Sequence, residues 1–320
     1  MWLSGHPCDD SCGMGASAKL SFALQQDRHP RIVQVVQQMM RGALFVKQFV
    51  LAGLAVLGLG SSAFAAPPAP TMTWTGFYIG GNGGYGWGDR DVDYSPNDPA
   101  SAIGFSTANF KPPAVSFDSA SAIGGIQLGY NWQFNPAWLV GIEADFDWAN
   151  MKGSASSGGL AGGVSPFTAT VDERIKWFGT VRGRLGYLPS PSLLVFMTGG
   201  FAYAKVERSG RYVNNDPAIG FGAVLGGYGF TCPTGGATCF TGSSSDVATG
   251  WTLGGGVEYA FWQNFTVKAE YLYVDLDSGA VTERAQVLGV APPGTQLSSI
   301  NANFSRTIFN VVRLGVNWRF

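Results

Sequence analysis

From Thr75 to the C-terminus, apolar and polar residues alternate in stretches of about ten to fifteen, the period-two signature of strands with two unlike faces. Eight such stretches are predicted as strands: 75–88, 120–133, 137–151, 171–187, 192–207, 248–261, 265–277 and 304–320. The connections alternate in length. Tight turns, Phe134–Pro136, Leu188–Pro191 and Trp262–Asn264, follow the second, fourth and sixth stretches. Long polar segments, 89–119, 152–170, 208–247 and 278–303, follow the first, third, fifth and seventh. An even strand number with short turns at one end and long loops at the other matches a barrel that crosses an outer membrane with its loops outside. The expected fold is all-β, a single eight-stranded antiparallel up-and-down transmembrane barrel.

The faces separate by charge. In the last stretch Ile308, Val312, Leu314, Val316, Trp318 and Phe320 share one side, while Arg313, Asn317 and Arg319 share the other. The same split opposes Trp138, Val140, Ile142, Phe146 and Trp148 to Glu143, Asp145 and Asp147, and Trp251, Leu253, Val257 and Tyr259 to Glu258. It recurs as Phe265, Val267 and Tyr271 against Lys268 and Glu270, and as Val181, Leu185 and Tyr187 against Lys176, Arg182 and Arg184. Alternation alone is blind to which face is inside, since a soluble barrel turns its apolar side inward. Aromatic residues near the ends of the apolar faces suit interfacial girdles, and glycines on the polar faces (Gly80, Gly84, Gly125, Gly129) suit a crowded lumen. The apolar side is therefore expected to face lipid.

Composition supports that arrangement. With 46 Gly and only 13% charged residues in 320, the chain has about half the charge and twice the glycine of an ordinary soluble domain. The apolar run from Phe49 to Gly60 is too short for a transmembrane helix. It fits a secretory signal instead: Arg41 and Lys47 precede it and Ala63-Phe64-Ala65 offers a cleavage site. Residues 1–38 read as an extension upstream of the true start, 39–65 as a signal peptide, 66–73 as a linker and 74–320 as the barrel. Of the 20 Lys and Arg, five (Lys19, Arg28, Arg31, Arg41, Lys47) precede the cut, and of the 21 acidic residues three (Asp9, Asp10, Asp27), so 15 face 18 in the mature chain. That balance implies no nucleic-acid partner. His6 and His29 are also removed, leaving no histidine. Cys232 and Cys239 remain, and in an oxidising compartment the pair can form a disulfide; the stretch offers too few ligands for a metal. No cofactor is expected.

The final segment Asn310–Phe320, which ends in an aromatic on the apolar face, resembles the terminal strand that outer-membrane assembly machinery recognises. Together with Trp74–Trp87, Gly141–Asp145, Thr180–Tyr187 and Val267–Tyr273, it makes residues 74–320 similar to the small porin-like outer-membrane proteins of alphaproteobacteria. That family comprises opacity and immunogenic porin types related to the outer-membrane protein A barrel. The resemblance implies insertion in the cell outer membrane among lipid and lipopolysaccharide, with Phe320 as assembly signal; a monomer is expected, with an oligomer as the alternative. It implies a structural, porin-like or surface-binding role.

The predicted lumen charges are Glu143, Asp145, Asp147, Lys176, Arg182, Arg184, Glu258, Lys268, Glu270, Arg313 and Arg319. An eight-stranded barrel is just wide enough for its own side chains. Such charges then read as a salt-bridge plug, with a narrow polar path for small ions as the functional alternative. Catalysis is not expected, because no nucleophile with a base and no histidine is left. Gly80–Gly84 lies inside a strand, not before a helix, so it is not a phosphate loop. Asp89, Asp91, Asp93 and Asp98 read as a solvated acidic loop, with a divalent cation as the alternative. Phe221, Tyr228, Phe230 and Phe240 around the cysteine pair suggest an adhesive surface tip. The expected function is a non-catalytic envelope protein that stabilises the outer membrane and passes small solutes poorly; the alternative is an adhesin or ligand-binding protein acting through its long loops.

Overall fold

The computed structural model describes residues 73–320; the predicted extension, the signal peptide and all but the last residue of the linker lie outside the described residues. In chain order the elements are β1 (Gly76–Pro96), α1 (Pro99–Thr107), β2 (Val115–Asn135), β3 (Trp138–Ala161), β4 (Ser165–Ser190), β5 (Leu193–Asn214), β6 (Phe221–Leu225) and β7 (Tyr228–Cys232). There follow β8 (Ala237–Ala260), β9 (Phe265–Leu276), β10 (Gly279–Ala285), β11 (Gln296–Leu297), β12 (Ser299–Phe304) and β13 (Thr307–Arg319).

Antiparallel pairing runs β1–β2–β3–β4–β5–β8–β9–β13 and returns to β1, from Tyr78 opposite Arg319 to Trp87 opposite Asn310. The ring has no free edge, which is what a strand wall in lipid requires. Above it, β10 and β12 continue the wall between β8 and β1.

The outer surface carries a belt of exposed apolar side chains bounded by aromatics. Trp132, Trp138, Tyr187, Tyr259, Phe265 and Trp318 mark the short-turn end, and Tyr85, Trp148 and Trp251 the other. From Trp138 to Trp148 β3 rises about 24 Å if tilted by ~45°, the height of a bilayer's hydrocarbon layer.

The strands do not stop at the upper aromatics. β3 runs on to Ala161 and β4 starts as early as Ser165, so much of what the sequence pattern assigns to loops is strand. Beyond the girdle the polarity of the wall reverses. Lys152, Ser154, Ser156 and Asp172 face outward, while Phe117, Phe167, Val171, Tyr212, Phe240, Ile300 and Phe304 are buried inside. One set of strands thus forms a membrane barrel below and a water-soluble head above. Apolar groups turn outward where the surroundings are hydrocarbon and inward where they are water.

Candidate functional site

From the short-turn end upward the lumen is filled in layers. Trp74 crosses the bottom, its Nε1 donating to the Pro191 carbonyl at 3.0 Å, and packs with Leu139, Leu188, Leu194 and Phe196.

Above this plug lies a buried ion network whose members come from facing strands. Arg182 on β4 donates to Glu143 (2.5 Å) and Asp145 (2.7 Å) on β3 and to Glu270 (2.6 Å) on β9. Arg313 on β13 donates to Glu270 (2.9 Å), Asp147 (2.6 Å) and Asp145 (2.7 Å). Lys268 donates to both oxygens of Glu143 at 2.8 and 2.9 Å, and Arg184 pairs with Glu258. Tyr78 donates to Glu143 at 2.7 Å and Asn317 to Glu258 at 2.9 Å. Each of the five carboxylates accepts from a guanidinium or ammonium group, which is the condition for holding charge away from water. Glycine makes the room. A Cβ on Gly84 would stand 2.1 Å from the Val312 carbonyl oxygen and 2.8 Å from the Cβ of Arg313, and one on Gly129 would overlap the Tyr78 hydroxyl at 2.3 Å.

The next layer is apolar. Ile123, Met151, Ile175, Phe178, Val206, Leu272, Val274, Phe309 and Val311 meet across the lumen, with Phe178 of β4 and Phe309 of β13 edge-on at 5.3 Å. A second ion cluster follows, in which Glu173 accepts from Arg90 (2.7 Å) and Arg208 (2.9 Å). The head closes above it around Phe110, whose ring lies 5.1 Å from Phe230, 5.9 Å from Tyr212 and 6.1 Å from Phe240. Within this core Glu283 is fully buried and neither carboxyl oxygen has a hydrogen-bond partner; burial pushes its pKa up to about 8.

Of the predicted lumen residues, Glu143, Asp145, Asp147, Arg182, Arg184, Glu258, Lys268, Glu270 and Arg313 meet in the lower network. Lys176 does not. A bulge between Ile175 and Trp177 inserts one residue into β4 and reverses its alternation, so Lys176 faces outward and pairs with Glu207 at 2.6 Å. Arg319 sits half-buried at the lower rim, 5.0 Å over the Trp74 ring, and bonds the Thr73 carbonyl rather than a carboxylate. Phe320 is exposed, and its N–H donates to the Phe77 carbonyl at 3.0 Å.

The expectations for the outer segments change more. Phe230 and Phe240 are core residues of the head, not an adhesive tip, because the strands that carry them turn their apolar sides inward. Cys232 and Cys239 are joined by a disulfide, with their Cα atoms 4.7 Å apart. Asp98 caps α1 by accepting from the Ser101 N–H at 2.9 Å and also accepts from Ser298 and Ser299. It is thereby committed to tying the first outer segment to the last. Among the described residues no group of three or more His, Cys, Asp or Glu is arranged to hold a metal. Arg90, Glu173, Arg208 and Glu283 are missed by the sequence pattern, although Arg208 continues the inward parity of Ala204 and Val206 on β5.

Comparison with known proteins places this architecture. The 31 kDa outer-membrane immunogenic protein of Brucella melitensis is 33% identical over 263 residues, covering 81% of this chain and 89% of its own. The 22 kDa outer membrane protein of Rhizobium leguminosarum bv. viciae is 29% identical over 213 residues, covering 67% and 69% respectively. The crystal structure of the outer membrane protein OprG from Pseudomonas aeruginosa aligns with a TM-score of 0.36 at 10% identity, covering 78% of this chain and 99% of that one. The family model of the outer membrane protein beta-barrel domain matches residues 54–320. With the closed ring of strands and the apolar belt, the family model and the Brucella and Rhizobium relatives show that the chain belongs to the outer-membrane β-barrel family and is an outer-membrane protein.

Proposed function

We propose that this protein is a non-catalytic envelope component that holds a folded head above the outer membrane as a surface-binding module, and that it conducts no solute. The observation that carries this reading is the filling of the lumen. Two ion clusters and three apolar layers are stacked on one axis, and their side chains bridge facing strands. Passage of even a small ion would require separating buried ion pairs or opening the aromatic cluster at Phe110, each costing several kcal/mol. The same stacking makes the barrel a stiff pedestal, consistent with a stabilising role in the envelope. Catalysis finds no support: the lumen carboxylates are occupied by Arg and Lys rather than set beside a nucleophile. Exposed Phe320 is its proposed assembly signal, and lipid with lipopolysaccharide its proposed surroundings.

The test is conductance of the refolded chain in planar bilayers. No discrete steps are expected, and neutralising Arg182 or Glu270 should not create them without also destabilising the barrel. Regular steps from folded wild-type protein would overturn the non-conducting reading and restore the solute path.

A further inference from the structure

The outer surface just above the upper girdle is unevenly charged. On β3, β4 and β5 it carries Lys152, Arg174, Lys176 and Lys205, from the level of Trp177 to four residues above Trp148. Trp148 and Trp177 are cross-strand partners, and Trp177 is also opposite Lys205, so aromatic belt and cations are contiguous. On the flank formed by β1 and β2 the same level carries Asp89, Asp91 and Asp118, the last bordering the same cleft as Lys152 and Arg174.

The same flank carries two outward carboxylates, Asp172 on β4 and Glu207 on β5, against the four cations. Lys176 pairs with Glu207. Arg174 donates to the neutral Asn150 at 2.8 Å and Lys205 to the Ser245 carbonyl at 3.1 Å. Among the described residues Lys152, Arg174 and Lys205 have no carboxylate within salt-bridge distance. Across the sheet Arg174 lies between Lys152 on β3 and Glu207 on β5, so Lys152 and Arg174 form a directly opposed like-charge pair with one carboxylate on the far side of Arg174. The bulge that turns Lys176 outward adds a fourth cation to the same patch.

An aromatic girdle marks the boundary between hydrocarbon and headgroups. Cations between the level of the girdle and four residues above it stand at the depth of the headgroups and phosphates of the outer leaflet. We propose that Lys152, Arg174, Lys176 and Lys205 seat a phosphate of an outer-leaflet glycolipid of the lipopolysaccharide type, whose acyl chains lie along the apolar wall below Trp148 and Trp177. The inference rests on the outer-membrane placement but not on the lumen being closed. Each cation near a charged lipid surface is worth roughly a fivefold change in affinity.

The experiment uses the refolded protein with bisphosphorylated lipid A, lipid A lacking its phosphates, phosphatidylcholine or inorganic phosphate as probes. Bound lipid is counted by native mass spectrometry and stability is read from the temperature at which the folded gel band is lost. Wild-type protein should retain bisphosphorylated lipid A and melt at a higher temperature with it, and inorganic phosphate should not reproduce the shift. The variant K152Q/R174Q/K176Q/K205Q should lose retention by 100-fold or more. E207Q, which frees Lys176, should strengthen it, and R211Q/R284Q, whose cations lie higher on the head, should leave it unchanged. Equal retention by the quadruple variant, or by wild type for the dephosphorylated lipid, would overturn the proposal. If the quadruple variant fails to fold, R174Q alone with E207Q decides the matter: no opposite change in retention between the two would also overturn it. Conductance of the same preparations is a separate reading and does not bear on the result.

Discussion

Replacing Arg313 by methionine should destabilise the folded protein by about 4 kcal/mol, the cost of breaking a buried ion pair and leaving its partner uncompensated. The structure shows where that cost arises. Arg313 has a fully buried side chain and is the one cation paired with Asp147 among the described residues. Asp145 keeps Arg182, and Glu270 keeps Arg182 and Lys268, so the loss concentrates on a single carboxylate. Three cations then face five acids in the lower network. The compensating change D147N in the same chain should recover about half of the loss. R313K, which retains the charge but not the planar fork reaching three acceptors, should fall between wild type and R313M. The assay is urea unfolding in lipid vesicles followed by tryptophan fluorescence. A loss below about 1 kcal/mol, the value of a solvent-exposed pair, would refute the reasoning, because it would mean that water reaches the network.

Three further outcomes follow from the head. F110A removes the ring around which Tyr212, Phe230 and Phe240 pack and should cost the head about 3–5 kcal/mol. Limited proteolysis should then cut near residues 100–114 while the membrane barrel stays resistant. Glu283 has a folded-state pKa of about 8, above its unfolded value, so the folded head binds the proton more tightly. Its stability contribution is complete at low pH, is lost progressively as pH rises from about 4.5 through 8, and should become flat over that window in E283Q, as read by hydrogen exchange of β10 and β12. Reducing Cys232–Cys239, a bridge spanning seven positions, should speed exchange in β6 and β7 by an amount equivalent to about 2 kcal/mol without affecting the barrel's gel shift.

The membrane half of the fold was legible because lipid and lumen impose opposite chemistry on successive residues: Val140 and Ile142 against Glu143 and Asp145 declare both strand and orientation. The head was not, because its outward residues are those of any solvated loop. Ser154, Ser156 and Asp172 alternate with Ala155 and Val171, a pattern readable as strand only once the reversal of environment at the girdle is known. Unbroken parity along β4 points Lys176 into the lumen, but the bulge between Ile175 and Trp177 turns it outward and leaves no mark in the sequence. Phe230 and Phe240 read as surface aromatics in the sequence because the partner that buries them, Phe110, lies more than a hundred residues away. The lumen network was legible as a set of charges but not as pairs, since cross-barrel partners such as Arg313 and Asp147 are set by closure of the ring.

The reversal at the girdle is open to direct measurement by a nitroxide scan along β3 from Trp138 to Ala161 in lipid vesicles, with oxygen and a water-soluble nickel chelate as relaxation agents. Labels at 140, 142, 144 and 148 should respond to oxygen, labels at 152, 154 and 156 to the chelate, and labels at 143, 145, 147 and 151 to neither. Chelate reaching 143 or 147, or oxygen dominating as far as 156, would contradict the account.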